Sequence, residues 1–232
     1  MKSKPSLSTI LLLAFAAIFV LGCGLASEAA STAAPAADPA STATPVEAPT
    51  EEEPSEPVAS EDISSAVLTL ADLPAGFEEL TLEEMGVSLD DFSDEEFQPQ
   101  NVFVFLNTQN FQMVFGFNFL LTSRLDRASF DIGVSQPDIT LPAFVEGMGT
   151  QNVRDEKLLA GLDGIGEQQI GMTMVATLEG IPLQVDVLMF RRDVIGEMVM
   201  SMYLEGKSPN ITINDLGSKL DGNVQETLQT MK

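Results

Sequence analysis

Histidine and tryptophan are absent from this chain, cysteine and tyrosine occur once each, and 11 basic residues face 35 acidic ones. Each shortage closes a class of function. Without histidine there is no Ser-His-Asp or Cys-His triad, and no zinc site that uses an imidazole. A single cysteine, Cys23, cannot close a disulfide within the chain. Carboxylate pairs of the kind glycosidases use are abundant, but with Tyr203 as the lone tyrosine there is little aromatic surface on which to stack a sugar. A formal net charge of −24 opposes phosphate binding, so nucleic acid is not an expected partner. No P-loop or dinucleotide fingerprint is present. Lys207 and Lys219 remain as general bases and read as solvated surface residues. The expectation is a chain that is not an enzyme, with neither catalytic residue nor cofactor.

What the chain does have begins at its N-terminus. Lys2 and Lys4 precede the apolar run "ILLLAFAAIFVL" at 10–21, and Gly22 stands before Cys23. This is the layout of a secretory signal, and the run is shorter than the roughly 20 residues a membrane span needs. The tetrad Val20-Leu21-Gly22-Cys23 resembles the lipobox of bacterial lipoproteins. That resemblance implies a signal peptide of residues 1–22, cut before Cys23, with a diacylglyceryl group on the thiol and often a further acyl chain, such as palmitate, on the new amino group. Two or three acyl chains hold a protein firmly where one gives marginal binding, at about 0.8 kcal/mol per buried methylene. An uncleaved anchor and an ordinary signal with a chance cysteine are the competing readings. The lipidated one places the protein on the extracytoplasmic face of the cell membrane.

Residues 24–62 ("GLASEAASTAAPAADPASTATPVEAPTEEEPSEPVASED") carry no aromatic and no basic residue. Such a composition cannot offset the entropy of ordering and is predicted to be a disordered tether, extended by its prolines. Its acidic distal end, from Glu51 to Asp62, would be repelled by an anionic lipid surface, so the tether is expected to hold the domain away from the headgroups. Residues 63–232 then form one acidic domain, long enough for a proper core.

Within that domain, "VFVFL" at 102–106 is apolar on both faces, as a strand covered from both sides would be. A polar turn "NTQN" leads into "FQMVFGFNFLL", with Phe111, Met113, Phe115, Phe117, Phe119 and Leu121 on one face, and the two strands read as a hairpin. A three-stranded meander is predicted over 169–204, turning at Glu179-Gly180 and at Arg192-Asp193. Helices are expected from a Ser123 cap through "SRLDRASFDIG" and through "TLPAFVEGM" from a Thr140 cap. In the second, Leu141, Phe144, Val145 and Met148 share a side. A C-terminal helix carries Leu216, Leu220, Val224 and Leu228 at steps of four, with Gly217 and Gly222 weakening it. The fold class is α+β: a single domain with a mainly antiparallel sheet and packed helices.

The segments "LTLADLPAGFEEL", "LDGIGEQQIGMTM" and "VDVLMFRRDVIGEMVMSM", with the closing helix, resemble a type of bacterial extracytoplasmic domain. They are similar to the PsbP-like fold and to the external sensor domain of some mycobacterial Ser/Thr kinases. The resemblance implies a binding or assembly module. It carries over no functional residue, and this chain lacks the cysteines for the disulfides of those sensor domains.

Two constellations invite metals. Asp90, Asp91, Asp94, Glu95 and Glu96, within the acidic segment 77–97, could give a calcium ion oxygens, but the segment lacks EF-hand spacing and reads as a solvated connection. Met172 and Met174, with Met198, Met200 and Met202, offer the thioethers that suit Cu(I), yet strand alternation also sends them into a core, which is the favoured reading. No metal site is therefore expected. The functional expectation is a non-catalytic binding or assembly module with an envelope protein partner, against a calcium- or copper-responsive or small-ligand sensor.

The division at residue 63 is testable. Limited proteolysis should remove 24–62 and spare the rest, and a chain beginning near Ile63 should melt at the temperature of the whole protein. A large drop in melting temperature would mean that the tether packs on the domain.

Overall fold

Alternating apolar positions assemble into one seven-stranded antiparallel sheet in the order β1-β2-β3-β7-β6-β5-β4. The computed structural model describes residues 62–85, 98–147, 153–178 and 180–231. After a 3-10 turn at Leu70–Asp72 come β1 (Glu78–Glu79), α1 (Leu82–Met85), β2 (Asn101–Asn107) and β3 (Gln112–Leu120). Next are α2 (Arg124–Ser135), α3 (Pro137–Gly147) and β4 (Val153–Leu158). The chain closes with β5 (Gln168–Leu178), β6 (Ile181–Arg192), β7 (Ile195–Leu204) and α4 (Ile213–Thr230). The α+β reading holds. Two antiparallel meanders meet where β3 pairs with β7, with Phe115 opposite Met200. The connection α2–α3 carries the chain from that central seam to the far edge strand, β4.

Both faces of the sheet are covered, which is why its central strands are apolar on both parities. On one face Val104, Phe115, Phe117, Phe119, Val187 and eight of the eleven methionines form a single cluster. Phe130 and Val134 of α2, and Leu141, Phe144 and Val145 of α3, pack against it. On the other, Phe103, Phe105, Leu188, Phe190, Ile195 and Val199 meet Leu216, Leu220 and Val224 of α4. The lead segment from Ile63 to Leu68 completes that second layer. The predicted stripe of α4 is thus its buried side, with Leu228 packing at the margin.

Several expectations need correcting. The second helix of the connection starts at Pro137, not after a Thr140 cap. Proline at the first helical position gives up no bond there, and Thr140 lies inside, donating its hydroxyl to the Gly133 carbonyl. Met148 lies outside the described residues. Phe111 is not on the Phe115 face: it takes φ 54° in the hairpin turn and is exposed. The β6–β7 turn falls one residue later, at Asp193-Val194, with Asp193 at φ 52°. Strand β4 was not expected at all. Its residues from Arg154 to Leu158 are exposed, so it has no apolar alternation to announce it.

The two glycines of α4 are not equivalent. A Cβ on Gly217 would overlap Leu188 Cδ2 beneath it, so the helix is seated on the sheet at that residue, whereas Gly222 faces open space. Gly222→Ala should therefore raise stability by about 0.5–1 kcal/mol. Gly217→Ala should lower it, because overpacking a full core typically costs about 1–3 kcal/mol. Urea midpoints of the two variants should move in opposite directions, and equal gains would refute the seating.

Candidate functional site

Cys23 lies outside the described residues, as do Asp90, Asp91, Asp94, Glu95 and Glu96. Of the acidic segment's described members, Glu84 is occupied locally, its Oε2 accepting from the Thr81 N–H and hydroxyl at 2.9 and 3.0 Å. Among the described residues no group of three Asp, Glu, His or Cys is placed to hold a metal ion. Met172, Met174, Met198, Met200 and Met202 are buried together among phenylalanine and valine side chains, as the core reading expects. Lys207 and Lys219 are exposed.

Sequence reasoning did not assign the polar groups that the sheet does bring together. Arg191 and Arg192 end β6 and, being successive strand residues, point to opposite faces. Arg191 grips Asp131 of α2 through two hydrogen bonds of 2.6 Å and reaches Glu167 at 2.7 Å. Arg192 grips Asp221 of α4 at 2.6 and 2.9 Å. The bonds from Arg191 hold the Asp131 carboxyl below its usual range, and the carboxylates in turn raise both guanidinium groups.

A second network lies on the α4 face. Asp186 of β6 accepts from Thr173 Oγ1 at 2.5 Å and from the Tyr203 hydroxyl at 2.9 Å. Burial and the Asp186 charge raise the pKa of Tyr203, so its phenol stays a donor to Asp186. Gln184 donates to Thr173 and to the Met174 carbonyl, and it also lines an open cleft of about 360 Å³ with Asp155, Lys157 and Glu205. Beside that cleft β4 is bulged between Arg154 and Lys157, and Arg154 Nη2 contacts both Glu205 oxygens at 2.7 Å. The arrangement offers polar recognition: Asp155, Asp186 and Glu205 are occupied by donors, and Glu156, which also lines the cleft, is exposed.

Glu197 on β7 is the exception. It is fully buried, and neither carboxyl oxygen has a hydrogen-bond partner among the described residues. Its cross-strand neighbours are Asn118 and Phe190. Asn118 has no bond left to give. Its Nδ2 donates to the Ile63 and Ala66 carbonyls, and its Oδ1 accepts from the Asn101 amide and side chain. Burial therefore pushes the Glu197 carboxyl well above the usual carboxylate range, which favours its neutral form. The signal was in the sequence: Glu197 has the parity of Ile195 and Val199, which are core residues.

No protein-family model matches this chain, and no curated protein matches it.

Glu197 makes the stability of the fold depend on pH. The native state keeps a proton that the unfolded chain releases above about pH 4.3. Its contribution is complete below that pH and is lost as pH rises toward the raised native pKa, at up to about 1.4 kcal/mol per pH unit. Glu197→Gln removes the titration. The stability difference between variant and wild type, from urea unfolding between pH 4 and 8, should shift steadily in the variant's favour as pH rises. A difference independent of pH would show that the carboxyl is not held neutral.

Proposed function

We propose that this chain is a membrane-anchored extracytoplasmic lipoprotein whose domain is a non-catalytic binding or assembly module at the cell envelope. One observation carries the anchoring: the single cysteine falls at the lipobox position, directly behind an apolar run too short to span a bilayer. No helix among the described residues is long and apolar enough to cross a membrane. The division into a signal at 1–22, a lipidated tether at 23–62 and a domain at 63–232 goes with that reading. Ile63, the first buried apolar residue among the described residues, follows directly on the tether composition.

A binding role fits how the polar groups are used. Arg191, Arg192, Asp131 and Asp221 fasten helices, and Asp186 is filled by Thr173 and Tyr203. The acid excess favours cationic or neutral partners over nucleic acid. A small-ligand sensor is the second reading, favoured by the polar cleft at Gln184, Lys157 and Glu205. The copper form of that reading loses support because Met200 and its neighbours are shut inside the core.

Cys23→Ser should abolish acylation and move the protein out of the membrane fraction, or leave it as an unprocessed precursor. A variant that matures and fractionates like the wild type would refute the anchor. A pull-down of the lipidated protein from its own membranes, with calcium and with chelator, separates the two roles. A stoichiometric protein partner supports assembly, while a calcium-dependent thermal shift supports sensing.

A further inference from the structure

The α2–α3 connection is apolar on both sides. Its inner side meets the methionine and phenylalanine face through Phe130, Val134 and Phe144. Its outer side presents Leu125, Ile132 and Ile139, which are 74%, 57% and 65% exposed. Leu125 and Ile132 are seven residues apart on α2 and so share a helical face. The Thr140 hydroxyl bonds the Gly133 carbonyl, tying the first turn of α3, which carries Ile139, to the last turn of α2, which carries Ile132.

On α2 this ridge is nearly free of unpaired charge, and on α3 the exposed Asp138 stands next to Ile139 in sequence. From Leu125 to Gln136 its other exposed positions are Ala128, Ser129, Ser135 and Gln136. The two acids of α2 are engaged elsewhere: Asp126 closes the capping box with Ser123, and Asp131 is held by Arg191. Arg127 donates to the Leu121 carbonyl, and Arg124 stands exposed at the ridge's end. In a chain of net charge −24, this is a surface where one exposed acid, Asp138, is matched by one exposed base, Arg124, so an anionic bilayer repels it less than the rest of the domain.

We propose that this ridge docks on the bilayer that holds the chain's own lipid anchor, with Leu125, Ile132 and Ile139 inserted shallowly among the headgroups. The proposal rests on the lipidation of Cys23, and it replaces the expectation that the acidic tether end holds the domain off the headgroups. The acylated end lies about 39 residues before the described domain, and a flexible chain of that length spans about 35–40 Å. The tether joins on the α4 face and the ridge is on the other, so it must pass the domain's thickness. That thickness, two packing layers of about 10 Å plus the outer helix halves, is roughly 30 Å and within reach. Tethering supplies a high local concentration of bilayer, so a weak apolar contact suffices. A second copy is the poorer occupant, because three side chains fall far short of the roughly 1,200 Å² of a stable interface and two acidic domains repel.

The test uses the mature lipidated protein, whose acylated Cys23 leaves no other thiol. Ala128→Cys places a fluorophore within the ridge and Lys219→Cys places one on the exposed side of α4. Each protein is reconstituted in phosphatidylcholine vesicles containing a minority of phosphatidylglycerol and nitroxide-labelled lipid. The label at 128 should be quenched several-fold more strongly than the label at 219. Adding Leu125→Ser, Ile132→Ser and Ile139→Ser should remove that difference while circular dichroism shows the fold retained. A lipidated protein with equal quenching at the two sites overturns the docking alone. Quenching at 128 that follows protein density rather than nitroxide lipid overturns it in favour of self-association. A purified protein without acyl mass on Cys23 overturns the anchoring reading and the docking with it.

Discussion

Two adjacent arginines at the end of β6 fix how this fold is put together. Neighbouring residues on a strand project to opposite faces, so Arg191 and Arg192 necessarily reach different layers. One holds α2 through Asp131 and the other holds α4 through Asp221, each with paired hydrogen bonds. Ion pairs of this kind return little net stability once desolvation is counted, but removing one partner strands the other. Their contribution is therefore position. They set where each helix lies along the strands, and side-chain packing then follows from that placement.

The two layers so positioned differ in character. Beneath α4 the contact is close, since Gly217 is down on Leu188 and three α4 side chains are wholly buried. The same face contains the polar features: Asn118 pinning Ile63 and Ala66, Asp186 with Tyr203, and the buried Glu197. Beneath α2–α3 the sheet offers unbranched methionines, which adapt to irregular partners, while every α2 residue keeps some exposure. A rigid polar-and-aliphatic layer thus backs a softer one. Elements with few buried side chains open at lower free energy than core elements, so motion at the α2–α3 connection is less costly than motion at α4.

Period and parity made much of this legible. The hairpin of β2 and β3, the meander from β5 to β7, and the stripe of α4 follow from alternation of two and steps of four, because burial acts on one residue at a time. Elements without a buried side left no such mark. Strand β4 is held by backbone pairing to β5 while Arg154, Asp155, Glu156 and Lys157 face water, and charged, bulged edges of this sort discourage pairing with other chains. Thr140 could pass for a helix cap because capping chemistry is local, and Pro137 offered an equally local and better start. The partners of Arg191 and Arg192 lie 60 and 29 residues away, a separation that no local pattern encodes. Glu197 was readable in principle: a carboxyl at a core parity must be partnered or neutral.

The way the few bases are spent decides what the surface can recognise. From residue 63 onward there are nine, and Arg127, Arg154, Arg191 and Arg192 are all engaged within the domain. The acids greatly outnumber them, so the outward field is negative, with Arg124, Lys157, Lys207 and Lys219 as scattered exceptions. A cationic partner would be drawn in by that field and released by salt, on a scale set by a Debye length of about 8–10 Å. A neutral apolar partner would instead be met by the α2–α3 ridge, where both acids of α2 are engaged and Asp138 is the one exposed acid of the described α3 residues, and salt would leave that contact largely unchanged. The ion pair between Arg191 and Asp131 thus acts twice: it seats α2 on the sheet, and it takes from the outer surface the carboxylate that would otherwise stand beside Ile132.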